Sequence, residues 1–270
     1  MAKYKKKRVR ELQHDRFRDT TMGLFDRLGN LLEGRGRTIL YGLAGLLVAG
    51  LLMLFFVKWS NRKADEARQA LGRAITISTA NVGAPLPGAD PSAQTFNSEQ
   101  ERSQRAIDEF EKVAAKYGDP YRAQARYFIA SNRLTTDRPK AITELSELQN
   151  SSVPEVAALS KFALGQVKES DGKLDEAAQI YSDLARLNGS TITADTANLK
   201  LAKVYEKQGK KKEAADILFN IVDAARKAKG VDNQPAPVSA AAREAATELK
   251  KLDPDRYAQL PPEAPPSLLG

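Results

Sequence analysis

The sequence predicts an all-α protein, in which a single N-terminal membrane-spanning helix precedes an α-solenoid of stacked helix hairpins. Three observations carry this reading. Residues Thr38 to Val57, TILYGLAGLLVAGLLMLFFV, run for 20 residues without a charge. The pattern Ala-x-x-x-(large apolar) then recurs at Ala106, Ala141, Ala177 and Ala214, in steps of 35, 36 and 37 residues. From Glu99 onward the apolar residues keep helical spacing, with almost no strand signals.

At about 1.5 Å rise per residue, the uncharged run makes a helix roughly 30 Å long, the thickness of a bilayer core. A cleaved secretory signal has a shorter apolar region of about 7–15 residues and a small-residue cleavage site. Here 37 residues precede the run, and VKWSNRKADEARQ follows it without such a site. Arg35 and Arg37 before the run, Lys58, Arg62 and Lys63 after it, and the aromatic Tyr41 and Trp59 are typical of membrane borders. Gly42, Gly45 and Ala49 share one face of this helix, where small side chains would let a second membrane helix approach.

Orientation follows from the basic residues. Residues 1–37 carry 11 Lys+Arg against 5 Asp+Glu, whereas the rest of the chain holds only +2 of the total +8. Positive residues stay on the cytoplasmic side, so the N-terminus is expected inside and the larger C-terminal part outside. The basic tail suits anionic lipid headgroups or ribosomal RNA nearby, and no specific nucleic-acid partner is implied. Between Thr20 and Glu33, the residues Leu24, Phe25, Leu28, Leu31 and Leu32 fit an amphipathic helix lying on the inner leaflet.

Beyond the span, Ala64, Ala67, Leu71 and Ile75 continue the helical pattern outward, until NVGAPLPGADPSAQ breaks it into an irregular loop. The expected organisation is a basic segment at 1–37, a span at 38–57, a helix extension and Gly/Pro-rich loop at 58–98, a repeat domain at 99–252 and a Pro-rich extended tail at 253–270.

In the third copy of the repeat, Leu164-Gly165 precedes the turn residue Gly172, and Ala177 and Tyr181 follow. In the fourth, Leu201-Ala202, Tyr205, Gly209, Ala214 and Leu218 take the same offsets. Small residues allow two helices of a hairpin to meet closely, and glycine permits the tight connection. These residues resemble the tetratricopeptide repeat family over roughly residues 99–228. Thr136 departs from it, standing where a turn glycine is common, and the partner helix of the first copy is displaced beyond the loop. Residues 237–252 would cap the stack, with Ala240, Ala241, Ala245 and Leu249 facing inward. The resemblance implies a groove lined by the first helix of each pair. By the family offsets Arg126, Arg133, Phe162, Gln166, Glu169, Leu199, Lys203 and Glu206 face it, a mixed set suited to a peptide or partner domain but not a two-lysine carboxylate clamp.

Catalytic constellations are scarce. The chain has no cysteine, which removes thiol chemistry, disulfides and Cys-based metal sites. It has one histidine, His14, and neither a Gly-rich phosphate loop nor a nucleophile elbow. Ser170-x-x-Lys173 matches the short nucleophile motif of penicillin-binding proteins, but no Lys-Thr-Gly partner accompanies it. A non-enzymatic protein without cofactor or metal is expected.

The order of basic segment, single span, outward helix and repeat domain resembles the YfgM-like ancillary subunits of the bacterial Sec translocon. That resemblance implies a membrane-anchored adaptor in the inner membrane, with its repeat domain in the periplasm. Its partners would be translocon or chaperone subunits, exported chains and membrane lipids. The alternative is a repeat scaffold for cell-envelope assembly or cell division.

Overall fold

Helix formation dominates the chain from Gly36 onward, and the computed structural model describes residues 36–83, 94–230 and 234–263. It divides into two units, Met1–Glu66 and Ala67–Gly270. The basic leader, the amphipathic helix expected between Thr20 and Glu33 and the Pro-rich end of the tail lie outside the described residues.

In the first unit the principal element is α1 (Gly36–Ser78), which is long and apolar enough to cross a membrane. Every side chain from Tyr41 to Lys63 is exposed, including Leu46 at 74% and Phe55 at 71%. At the polar end of the apolar run, Trp59 lies 6.2 Å from Phe56, ring to ring, and the Lys63 ammonium sits 3.9 Å from the Trp59 ring centroid. An aromatic ring shared between an apolar neighbour and a cation suits a water–lipid boundary.

In the second unit α1 becomes amphipathic. Ala67, Leu71 and Ala74, at helical spacing, are buried. Leu71 and Ala74 join Ala106, Ile107, Phe110 and Val113 of α2 (Glu99–Lys116), and Ala125 and Ile129 of α3 (Tyr121–Thr136), in one apolar cluster. The displaced partner helix of the first repeat is therefore the end of α1. Between α1 and α2 two short parallel strands pair, β1 (Asn81–Val82) and β2 (Thr95–Phe96). Asn81 and Val82, at the start of the stretch expected to be irregular, pair in this way, and Phe96 is buried; residues 84–93 of that stretch lie outside the described residues.

The remaining helices are α4 (Arg138–Leu148), α5 (Pro154–Ser170), α6 (Leu174–Leu187), α7 (Ala194–Lys207), α8 (Lys211–Lys227), α9 (Ala240–Leu252) and the single turn α10 (Pro254–Tyr257). Helices α3/α4, α5/α6 and α7/α8 are consecutive hairpins, which gives the predicted all-α solenoid of tetratricopeptide type. Its register is that of the repeat. Ala106, Ala141, Ala177 and Ala214 are all 0% exposed, and Phe110, Leu145, Tyr181 and Leu218 four residues on are at 2% or less.

The turns follow from local chemistry. Gly172 and Gly209 adopt φ of 72° and 77°, the left-handed region that glycine enters without a Cβ clash. After each, the next N–H reaches back five residues, Lys173 to the Lys168 carbonyl and Lys210 to that of Tyr205, both at 2.9 Å. The α3/α4 connection is different, which accounts for Thr136. Asp137 alone links the helices, with φ −150° and ψ 78°, and its carboxylate accepts from Lys140 N at 3.2 Å. No left-handed residue is required there.

Two details at the C-terminal end correct the sequence reading. Helix α9 begins at Ala240 after the Ser239 cap, and it buries Ala242, Ala245 and Leu249 while leaving Ala240 exposed. Residues 253–261 are not an extended tail. Asp253 caps α10, Leu260 is 8% exposed in the last apolar cluster with Tyr257 packed beside it, and Arg226 donates to the Tyr257 hydroxyl and the Pro261 carbonyl. Prolines end helices, yet two apolar side chains among them are enough to dock the segment.

Candidate partner-binding face

The eight residues expected to line a groove come from α3, α5 and α7, and the structure sorts them into three environments. Four are engaged in ion pairs between helices. Arg126 contacts Glu144 at 3.4 Å and Glu147 at 2.8 Å, tying α3 to α4. Arg133 reaches both Glu111 of α2 and Glu144, each at 2.8 Å. The Arg133 and Glu144 side chains are only 15% and 14% exposed, so this pair is far less screened by water than an ordinary surface bridge.

Glu169 of α5 accepts from Lys207 Nζ of α7 at 2.5 Å and from the Tyr181 hydroxyl of α6 at 3.2 Å, so one carboxylate joins three helices. Lys203 of α7 pairs with Glu244 of α9. The hydrogen bond to Glu244 raises the Lys203 pKa, and the same bond lowers that of Glu244. Further along the stack, Arg138 of α4 holds Asp171 at 2.6 Å. Salt bridges thus cross successive hairpin seams and help fix how each pair sits on the next.

A fifth residue is in the core. Leu199 is 4% exposed and packs with Leu218, Ile221, Val222 and Leu249, which excludes it from any groove. The α7 face carrying Leu199 meets α8 and α9, and the family offsets do not anticipate that extra helix. The other three residues remain presented. Phe162 is half-buried with its ring 5.7 Å from that of Tyr181, and Gln166 and Glu206 are exposed. The partners Glu144, Lys207 and Glu244 were not singled out from sequence, because charges that meet across hairpins share no fixed spacing.

Tyr181 is the hinge of this network. Burial, and then the adjacent Glu169 charge, push its phenol pKa well above the ordinary value near 10. The unfolded phenol ionises near pH 10 and the folded one higher. The associated stability is therefore complete below pH 10 and falls as pH rises from there toward the folded-state pKa. Tyr181→Phe is expected to cost about 1 kcal/mol at neutral pH, the net worth of one hydrogen bond. It should also flatten the decline of Tm between about pH 9 and pH 11. Thermal melts of both proteins over that range check it, and parallel curves would separate Tyr181 from the alkaline transition.

The Ser170 hydroxyl is committed to structure. It donates to the Val167 carbonyl at 2.8 Å and accepts from Arg138 Nη2 at 2.7 Å, an arrangement that joins α4 to the end of α5 rather than activating a nucleophile. Among the described residues no cluster of three or more His, Cys, Asp or Glu could hold a metal ion. In the apolar part of α1, a Cβ added at Gly42 or Gly45 meets nothing within 4 Å, and Ala49 is exposed, so this face of the helix is open among the described residues.

No known family model matches the chain, and no curated protein matches it. Among solved structures it is similar to a protein of Podosopora anserina described as a kinesin light chain with nearly identical TPR-like repeats. The identity is 15%, over 69% of this chain and 85% of that one, with a TM-score of 0.48.

Proposed function

We propose that this protein is a membrane-anchored repeat adaptor that binds protein partners, and that it serves the bacterial export machinery as an ancillary subunit of the translocon and its periplasmic chaperones. The observation that carries the reading is the exposed apolar surface of α1. Leu43, Leu46, Leu47, Val48, Leu51 to Val57 and Trp59 are all open along one continuous helix. A surface of that kind is stable in lipid, not in water. The α-solenoid supplies the second half of the argument, because a stack of hairpins presents a long face to other proteins.

In this reading the N-terminus is cytoplasmic and the repeats are periplasmic, because the basic excess lies in residues 1–37. The partner-facing set is Phe162, Gln166 and Glu206, with the outer edges of the ion pairs of Arg126, Glu169 and Lys203. The small face of Gly42, Gly45 and Ala49 is available to a neighbouring membrane helix.

Crosslinking in native membranes followed by mass spectrometry tests the partner. Translocon or chaperone subunits are expected among the linked peptides, whereas linkage only to envelope-assembly or division proteins would favour the scaffold alternative. Orientation is tested separately. Protease added to spheroplasts should destroy the repeats and leave a small N-terminal fragment, and a fully protected C-terminal part would reverse the topology.

A further inference from the structure

A cleft of about 300 Å³ lies where the end of α1 meets α2 and α3, lined by Ser78, Arg102, Ser103, Tyr127, Phe128, Ser131, Asn132 and Thr135. It is separate from the face described above, and none of its eight residues is acidic. Two of its polar side chains are almost fully buried, Ser103 at 2% and Asn132 at 8% exposure. Asn132 is fixed by donating to the Phe128 carbonyl at 2.8 Å and by its 3.2 Å contact with the Ser78 hydroxyl.

Among these eight described residues Arg102 alone is charged. Its Nη1 donates to the Ala80 carbonyl at 3.2 Å, while its Nε is buried and has no hydrogen-bond partner. The Nε–H is closed to a water-sized atom, so the capacity for an acceptor lies in the terminal N–H groups of this guanidinium, for which the Ala80 carbonyl is the one acceptor found among the described residues. The N-terminus of α2 is already capped by Ser98, so that capacity belongs to the side chains and not to the helix end.

We infer that this cleft binds a carboxylate joined to a small apolar group, with Arg102 opposite the negative charge and Ser103, Ser131 and Thr135 as hydroxyl partners. One cation matches one negative charge. A phosphate dianion would leave an excess negative charge among neutral hydroxyls, which is costly in a partly buried site. The planar guanidinium fits a planar carboxylate. Tyr127 and Phe128 line the same cleft and provide aromatic surface for the attached apolar group, and the volume is at the small end for ligand sites. Two sources share this chemistry: a free short organic acid and the C-terminal residue of a peptide.

The test uses the full chain in detergent micelles, with backbone amide NMR shifts at Ser103 and Asn132 as the readout. The probes are N-acetyl-leucine, its amide, and an acetylated Gly/Ser octapeptide ending in leucine with either a free or an amidated C-terminus. The free acids are expected to shift both signals by about 1 mM, with the amidated forms about tenfold weaker or more. A peptide about tenfold tighter than N-acetyl-leucine identifies a chain terminus, and equal affinity identifies a small acid. Arg102→Gln and, independently, Ser131→Val should each weaken binding of the free acid while the circular dichroism stays helical. Equal binding of acid and amide, no shift with any probe, or unchanged affinity in a folded Arg102→Gln protein would overturn the assignment.

Discussion

Ala177→Trp is expected to abolish cooperative folding of the repeat stack. Ala177 is 0% exposed, in a cluster with Tyr181, Leu184, Ala197, Leu201 and Val204 that joins α6 to α7. Tyr181, one turn on from Ala177 and on the same face of α6, is already packed to its limit against α5. A Cβ built on Gly165 of α5 would stand 2.7 Å from Tyr181 Cε1, a distance that real side chains do not tolerate. The packing around this face of α6 therefore leaves no slack to take up an indole.

Inserting even single methylenes into a filled core costs about 1–3 kcal/mol, and an indole adds much more volume. Against a typical net stability of about 5–15 kcal/mol, the loss is large enough to broaden or remove the transition. Urea unfolding of the full chain in micelles measures it. Ser170→Ala is the control, because it removes one hydroxyl at a helix end and should lower stability by about 1 kcal/mol or less. An Ala177→Trp variant with an unshifted urea midpoint would mean that the repeat register is misassigned, since that register is what places Ala177 at the hairpin contact.

That register was the most legible part of the fold. Four alanines spaced 35 to 37 residues apart occupy equivalent, fully buried positions because a helix pair repeats the same close approach, and only a small side chain fits at each. The glycines at 172 and 209 were legible for a similar reason, since a left-handed turn admits few other residues. The presenting face was less so. Leu199 and Phe162 look alike in sequence, but α9 covers the first and leaves the second half-open. Glu169 reads as one more charge on a helix, yet it gathers Tyr181 and Lys207 from two other helices. Contacts of this kind depend on how successive hairpins are stacked, a long-range property with no local spacing to announce it. The carboxylate cleft was invisible for the same reason, because Ser78, Arg102 and Asn132 are brought together by three helices.

The second large effect concerns the anchor. Replacing Leu47 and Leu51 together by arginine is expected to release the chain from the membrane. Both leucines are exposed, at 64% and 58%, and lie near the middle of the apolar run from Thr38 to Val57. A basic residue at the centre of a membrane helix costs about 2.5–3.5 kcal/mol on insertion scales, so two cost about 6 kcal/mol, or roughly four powers of ten in partition. Long arginine side chains reach water from the ends of a helix more easily than from its centre, which is why these two positions are chosen over Thr38 or Val57. Leu47→Ala/Leu51→Ala is the matched control. It trims the same side chains without adding charge, and the many remaining Leu, Val, Met and Phe residues should keep it in the bilayer. The measurement is the distribution of the chain between pellet and supernatant after an alkaline carbonate wash. Wild type and the alanine control should stay in the pellet, and the arginine variant should be released or fail to insert. The repeat stack, with its own core beginning at Ala67, should remain folded in the released protein. Wild-type protein in the supernatant, or an arginine variant retained as firmly as wild type, would remove the bilayer as the environment of α1 and with it the membrane half of the proposed function.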